Sequence, residues 1–405
     1  MSRSSLQTVR ELARRVAGAA HSERNERIRR LWIEHNALRP TRPMVACRIY
    51  PPPAWEIVDP PLADDQLERQ IETLLRILRL KIDLGDDEVF EPWLSLPAVF
   101  QSPTLFGITF DLQAPKEYRG ASRYCPVVED LEDIERIRTP DWRVDEEATA
   151  EMKGRAEEIL DGILAVRIDR LRLLGANLGY YAQGFAGITE LAYGMADRPA
   201  FVHALMAHLQ RCIRDYLVAA ERGGMLSLNN TGAYSASALC TDDLPQPGFD
   251  GRHVRLRDLW AYTDAQEFGS ISPAMTEEFL FDYTVPILGL FGLNHYGCCE
   301  AHHKKWHLVR RIPNLRRVSV SPWQDLAEAV EEMGGRATLD WRVNVANVVA
   351  LADPDAMRAE ISRGLQIASG CPIEIVLQDV ETVYGRKDTL LNWTRVAREE
   401  AERHA

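Results

Sequence analysis

The densest collection of reactive side chains is the run Asn294-His295-Tyr296-Gly297-Cys298-Cys299-Glu300-Ala301-His302-His303. It offers imidazoles, two adjacent thiols and a carboxylate. Thiolate and imidazole are the ligands Zn2+ prefers, at roughly 2.3 and 2.0 Å. A loop at the end of a strand can aim His295 and one of the cysteines at a single point, with a third ligand supplied from elsewhere. Cys371, just before the last predicted strand, is the candidate third, and Glu267, at the end of the preceding strand, the candidate fourth. Three or four protein ligands with one exchangeable position make a catalytic zinc site. A cysteine pair in a long chain is otherwise core packing, and His295 and Glu300 beside it bring the two readings level. His302, His303 and His307, beside Lys304 and Lys305, read as a solvated basic helix face.

Asp379 ends the apolar run Ile375-Val376-Leu377-Gln378. A carboxylate there is costly unless paired or hydrated. It reads as a general acid or base, a partner to a metal ligand, a substrate anchor, or a loop cap. Asn229 and Asn230 suit a polar group of a substrate, or equally an Asx-turn. Trp260, with Tyr262, Trp306, Trp323 and Trp341, can wall a pocket for a flat ligand or pack in the core. Asp86-Asp87 reads as the cap or lead-in of a strand.

The elements that must position these residues alternate. Short apolar runs predict strands at Met44–Ile49, Val89–Leu94, Ile163–Ile168, Met225–Leu228, Leu259–Tyr262, Leu290–Leu293, Arg317–Val320, Ala337–Leu339 and Ile373–Leu377. Helical periodicity fills most of the gaps, as at Leu67–Leu84, Arg198–Arg222 and Pro354–Ser369. Asp353-Pro354 is a helix start and Gly370 a helix stop. Strand-then-helix order argues for a parallel sheet with helical crossovers, and roughly eight units suit an α/β fold of the (β/α)8 TIM-barrel type. Residues 1–40 form a basic, solvated N-terminal helical extension that suits docking, and 41–405 the barrel. Leu96–Val144 is an excursion over one face. In a barrel the chemistry belongs at the C-terminal ends of strands, where these residues cluster.

The 405 residues carry a net charge of −12, which argues against nucleic acid as the main partner. No run of about 18 apolar residues marks a membrane span. The basic N-terminus has no apolar signal core, and Glu11, Glu23 and Glu26 count against a mitochondrial transit peptide, so a cytoplasmic location is expected. The seven cysteines are odd in number, which argues against a disulfide framework.

The strings Tyr296-Gly297-Cys298-Cys299-Glu300, Ile312-Pro313-Asn314-Leu315-Arg316 and Ser319-Val320-Ser321-Pro322-Trp323 together resemble the uroporphyrinogen decarboxylase-like superfamily. More narrowly they resemble its branch of corrinoid-linked methyltransferases. Asp86-Asp87, Asp258-Leu259-Trp260, Ala265-Gln266-Glu267 and Ser272-Pro273 add to the likeness, which runs from about Met44 to Trp393. The resemblance implies a barrel with a helical N-terminal extension and a zinc ion held by His, Cys and Cys, sometimes with Glu. Here that set maps onto His295, Cys298 and Cys371 with Glu267. Two residues separate His295 from Cys298 where the branch has one, leaving open whether Cys299 or Glu300 substitutes, and Ala301 stands where the branch has proline.

The expected activity is therefore a zinc-dependent methyltransferase. It would move a methyl group between a small methylated ether or amine, or a thiol, and a corrinoid (cobalamin) carried by a separate protein, since this chain has no corrinoid-binding Asp-x-His-x-x-Gly segment. A homodimer is compatible with this reading. The alternative is a lyase or decarboxylase acting on a carboxylated small molecule, with Asp379 or Arg342 as anchors. The decarboxylase's own Arg-Gln-Ala-Gly-Arg signature has no counterpart near Met44–Tyr50.

Overall fold

The computed structural model describes residues 3–49, 53–101, 106–115, 120, 122–141, 143–171, 174–234, 237–386 and 388–405. Helices α1 (Arg3–Ala20) and α2 (Glu23–Asn36) lead into β1 (Met44–Ile49), α3 (Gln66–Leu84) and β2 (Trp93–Pro97). An excursion carries the hairpin β3 (Asp111–Gln113) and β4 (Arg123–Cys125) before α4 (Glu146–Leu160), β5 (Ala165–Asp169) and the two-residue β6 (Leu174–Gly175). Helices α5 (Leu178–Ala186), α6 (Ile188–Asp197) and α7 (Pro199–Arg222) precede a short hairpin, β7 (Ala233–Tyr234) and β8 (Ser237–Ala238). The C-terminal half then alternates: β9 (Trp260–Thr263), α8 (Pro273–Thr276), α9 (Asp282–Leu288), β10 (Leu293–Tyr296), α10 (Trp306–Val309) and β11 (Leu315–Val320). It continues with α11 (Leu326–Met333), β12 (Thr338–Arg342), α12 (Val345–Leu351), α13 (Pro354–Ile367), β13 (Ile373–Val380) and α14 (Asp388–Arg403).

The predicted crossovers are present. Parallel strands bond in the order β1-β13-β12-β11-β10-β9, with β6 added at the β9 edge. The sheet curls into a part-barrel with helices around it. Strands β2 and β5 pair separately. The expected α/β fold with a curled parallel sheet is thus present, as a half-barrel; among the described residues the strand pairs do not join into a complete eight-stranded ladder.

The physical reasons are local. Phe90, expected in a strand, has its backbone taken by Asn25 of α2: its N–H donates to Asn25 Oδ1 (2.8 Å) and its carbonyl accepts from Asn25 Nδ2 (2.9 Å). The second strand consequently starts at Trp93. In the expected strand Met225–Leu228, Ser227 N–H donates to Leu171 O (3.1 Å) while its hydroxyl accepts from Arg170 N–H (3.0 Å). A side chain there stands in for a ladder bond. Helix α9 holds the chain to Leu288, so β10 begins three residues later than its apolar run.

The N-terminal helices are packed rather than solvated. Helix α1 buries Val9, Leu12, Ala13 and Val16 against Ile71 and Leu75 of α3 and Ala156 and Leu160 of α4. Helix α2 seals the end of the sheet where strands begin. Arg317, fully buried, reaches Glu374 (2.8 Å), Asn36 Oδ1 (2.7 Å) and Ala238 O (3.0 Å). Ser237 donates to the same Glu374, and His35 lies 3.8 Å from it. Burial, with Arg317 nearby, drives the His35 pKa down to about 3, so the imidazole is neutral there. A buried charge survives only when paired in this way.

Candidate active site

Strand register brings one inward row of polar side chains together. Tyr262 on β9 pairs with His295 on β10, and Ser319 on β11 with Asp340 on β12. Ser319 donates to Asp340 Oδ2 (2.8 Å) and accepts from Arg342 Nη2 (3.1 Å). His295 Nε2 is 3.0 Å from the same hydroxyl. Because the serine proton goes to Asp340, the imidazole must be the donor, which puts its proton on Nε2. Burial, then Arg317 and Arg342, push the His295 pKa well below its ordinary value, so it stays neutral.

Beyond β10 the chain turns through Gly297 at φ 94°. A Cβ there would lie 2.9 Å from His302 Nε2, so glycine alone lets the turn close. Glu300, buried, ties the loop down: one oxygen accepts from Ala265 N–H (2.8 Å) and the other from Cys298 N–H (3.0 Å). This presents Cys298 to Arg342, whose Nη1 is 3.3 Å from the sulfur. The Cys299 sulfur stands 3.6 Å away. Hydrogen bonding with Cys299, then the Arg342 charge, lowers the Cys298 thiol to about 7 against the cost of burial. The Cys299 thiol is pushed up by its neighbour and by burial. Cys298 is thus the more acidic thiol of the pair.

Carboxyls gather beside it. Asp264 accepts from the Tyr262 hydroxyl (2.8 Å) and Asn177 (3.3 Å), and burial with Glu300 nearby raises it to about 6. Glu267 accepts from Gln183 of α5 (3.0 Å). Burial first, then the charges of Asp264, Glu300 and Cys298, raise it to about 7. Its Oε2 is buried with no partner among the described residues and faces Gly179, where a Cβ would come within 2.8 Å. A half-neutral acid therefore stands close to a thiolate.

The expected site residues divide. The structure brings His295, Cys298, Cys299 and Glu267 to the ends of the strands, and Asp379, exposed at φ 62°, bears on Cys299 there. Cys371 is at the opposite end. It packs beside Gly334 and lines a cavity with Leu38, Arg39 and His404. Tyr296 is level with Val318, Leu339 and Ile373 across the strands; Cys371 stands two residues before that level and Cys298 two beyond it, about 13 Å apart along the strand direction. Among the described residues no group of three His, Cys, Asp or Glu is arranged to hold a metal ion. The side chains present do not make the expected His295–Cys298–Cys371–Glu267 zinc centre.

Asn229, Asn230 and Trp260 are also away from this mouth. Asn229 brackets the Trp260 backbone, accepting from its N–H (2.9 Å) and donating to its carbonyl (2.9 Å). The Trp260 ring, buried with Leu239, Leu244 and Leu293, lies under Arg317 at 5.5 Å. Asn230 donates to Leu244 O (2.9 Å). His302 is buried rather than solvated: its Nε2 meets Ser319 O (3.0 Å), and burial lowers it to about 4. Asp86 and Asp87 bond Cys47 and Val45 N–H (2.8 Å each). Gln183 and Asn177 were not indicated by sequence, because no motif or period marks a side chain that reaches in from α5.

No family model and no curated protein matches the sequence. Among solved structures the chain is similar to a methyltransferase from Methanosarcina mazei, at 11% identity and a TM-score of 0.55. The match covers 92% of this chain and 98% of that one. At this identity the likeness is one of fold.

Proposed function

We propose that this chain is a methyltransferase in which the Cys298 sulfur takes a methyl group from a small methylated ether or amine. The observation that carries the reading is the Cys298 sulfur, 3.3 Å from the Arg342 guanidinium where the strands end, which favours its anion. A soft sulfur anion is a good nucleophile toward a methyl carbon. The S–C bond forms, the C–O or C–N bond breaks, and its electron pair stays on the leaving atom. That atom needs a proton, and Glu267, which holds its proton up to about pH 7, is suited to give it. The fold shared with a methyltransferase supports the same class.

The onward partner is a corrinoid carried by a separate protein, whose reduced cobalt would supply a strong methyl acceptor. Exposed Trp323 (69%) and Tyr384 (68%) follow the ends of β11 and β13, and exposed Leu351 (61%) ends α12; they offer apolar side chains to a docking protein. Arg342 is engaged by Cys298, Ser319 and Asp340, so the carboxylate anchor that a lyase needs is occupied.

The test is incubation of the protein with a panel of methoxylated and methylamine compounds, with and without cob(I)alamin. A donor-dependent methyl adduct on the Cys298 peptide, discharged to methylcobalamin, is expected, and both should vanish in Cys298→Ala. Methyl transfer that persists in that variant would overturn the role of the sulfur, and no transfer from any donor would overturn the reaction class.

A further inference from the structure

Cys298 and Cys299 are adjacent in sequence, their sulfurs are 3.6 Å apart, and Cys299 is exposed. We propose that this pair is an oxidative modification site, at which a hydroperoxide converts Cys298 to a sulfenic acid that Cys299 closes into a vicinal disulfide. The inference goes beyond methyl transfer and does not require it.

Several features single out the pair. Arg342 beside Cys298 favours the sulfur anion, the form that attacks a peroxide. The remaining thiols are placed differently. Cys47, Cys212 and Cys240 are buried, Cys125 is on the β3–β4 hairpin, and Cys371 is at the far end of the sheet. The two residues lie in a bend outside any helix or strand, next to Gly297. The loop can therefore change shape without breaking a ladder.

The chemistry balances. The Cys298 sulfur attacks one peroxide oxygen, the O–O bond breaks, and an alcohol or water leaves with the thiol proton. The Cys299 sulfur then attacks Cys298, the S–O bond breaks, and water leaves with the second proton. The sulfurs lose two electrons and the peroxide gains two. Adjacent residues hold their Cα atoms about 3.8 Å apart, shorter than the ~4.4–6.8 Å span of relaxed disulfides. Such a bond is strained, and strained exposed disulfides are the readily reduced ones. Oxidation is thus reversible by a small dithiol, and while it lasts the Cys298 nucleophile is capped.

The test treats native full-length protein, without any methyl donor, with one equivalent of hydrogen peroxide. Free thiols are then alkylated and the digest is weighed. The expected result is a Cys298–Cys299 peptide lighter by two hydrogens, unalkylated, and restored by dithiothreitol, while Cys125 and Cys371 remain alkylated. Cys299→Ser should instead accumulate a sulfenic acid trapped by dimedone at Cys298. Full alkylation of both thiols after peroxide, or bridging to another cysteine, would overturn the proposal. Because no methyl donor is present, neither outcome depends on the methyltransferase reading.

Discussion

The Arg342 guanidinium lies 3.3 Å from the Cys298 sulfur and 3.4 Å from the Asp340 carboxylate, so one buried cation serves a thiolate and an acid on its own strand. Its charge is shared, and its geometry is fixed by the fork of nitrogens that reaches both.

Arg342→Lys should loosen this arrangement without removing the charge, because an ammonium cannot bridge two partners as a planar fork does. The midpoint for alkylation of Cys298 by iodoacetamide, expected near pH 7 in the parent, should rise toward the ordinary thiol value of about 8.5. The parent thiolate adds stability above the ordinary thiol range, which is lost as pH falls through about 7. An unmoved alkylation midpoint in the variant would mean that Cys299 alone sets the Cys298 pKa.

Glu267→Gln tests the raised carboxyl. The folded chain holds this proton up to about 7, against an unfolded value of 4.5. Its stabilising contribution is therefore complete below the unfolded value and disappears as pH rises through about 7. The glutamine variant should be more stable than the parent at pH 8 by on the order of 1–2 kcal/mol, with the gain shrinking toward pH 5. Urea unfolding at the two pH values measures this. Methyl transfer should fall by about 100-fold with the proton donor gone, while alkylation of Cys298 continues.

Cys371→Ser should leave methyl transfer and any metal content of the purified protein unchanged, since the side chain lies beside Gly334 at the strand starts. Elemental analysis and single-turnover assays check both. Loss of a bound metal in this variant would contradict the separation of Cys371 from Cys298.

Asn229→Ala removes the bracket on Trp260 and leaves a buried N–H and carbonyl without that partner. About 2–3 kcal/mol of stability should be lost, read by denaturant unfolding. KM for the methyl donor should not move, because neither residue faces the reacting sulfur.

Much of this architecture was written in the sequence. The run Met44–Ile49 became β1 residue for residue, and Asp353-Pro354 starts α13 as its N-cap and N1 pair predict. The Cys298–Glu300 loop was visible as a cluster of reactive types. Cys371 was misassigned through direction. A residue just before a parallel strand lies at the strand's start, on the side opposite to one just after a strand, so residue type alone could not join it to Cys298. His302 lay outside any sequence rule, because the Gly297 turn is what folds it back onto Ser319. The breaks in the ladder were equally hidden, since Asn25 must cross from another element to claim Phe90.

The seal formed by Trp32, Asn36 and Ala238 around Arg317 closes the end of the sheet where the strands begin. A donor to Cys298 and an acceptor from it would therefore both approach over the opposite end, where the strands stop, and would compete for the same stretch of surface.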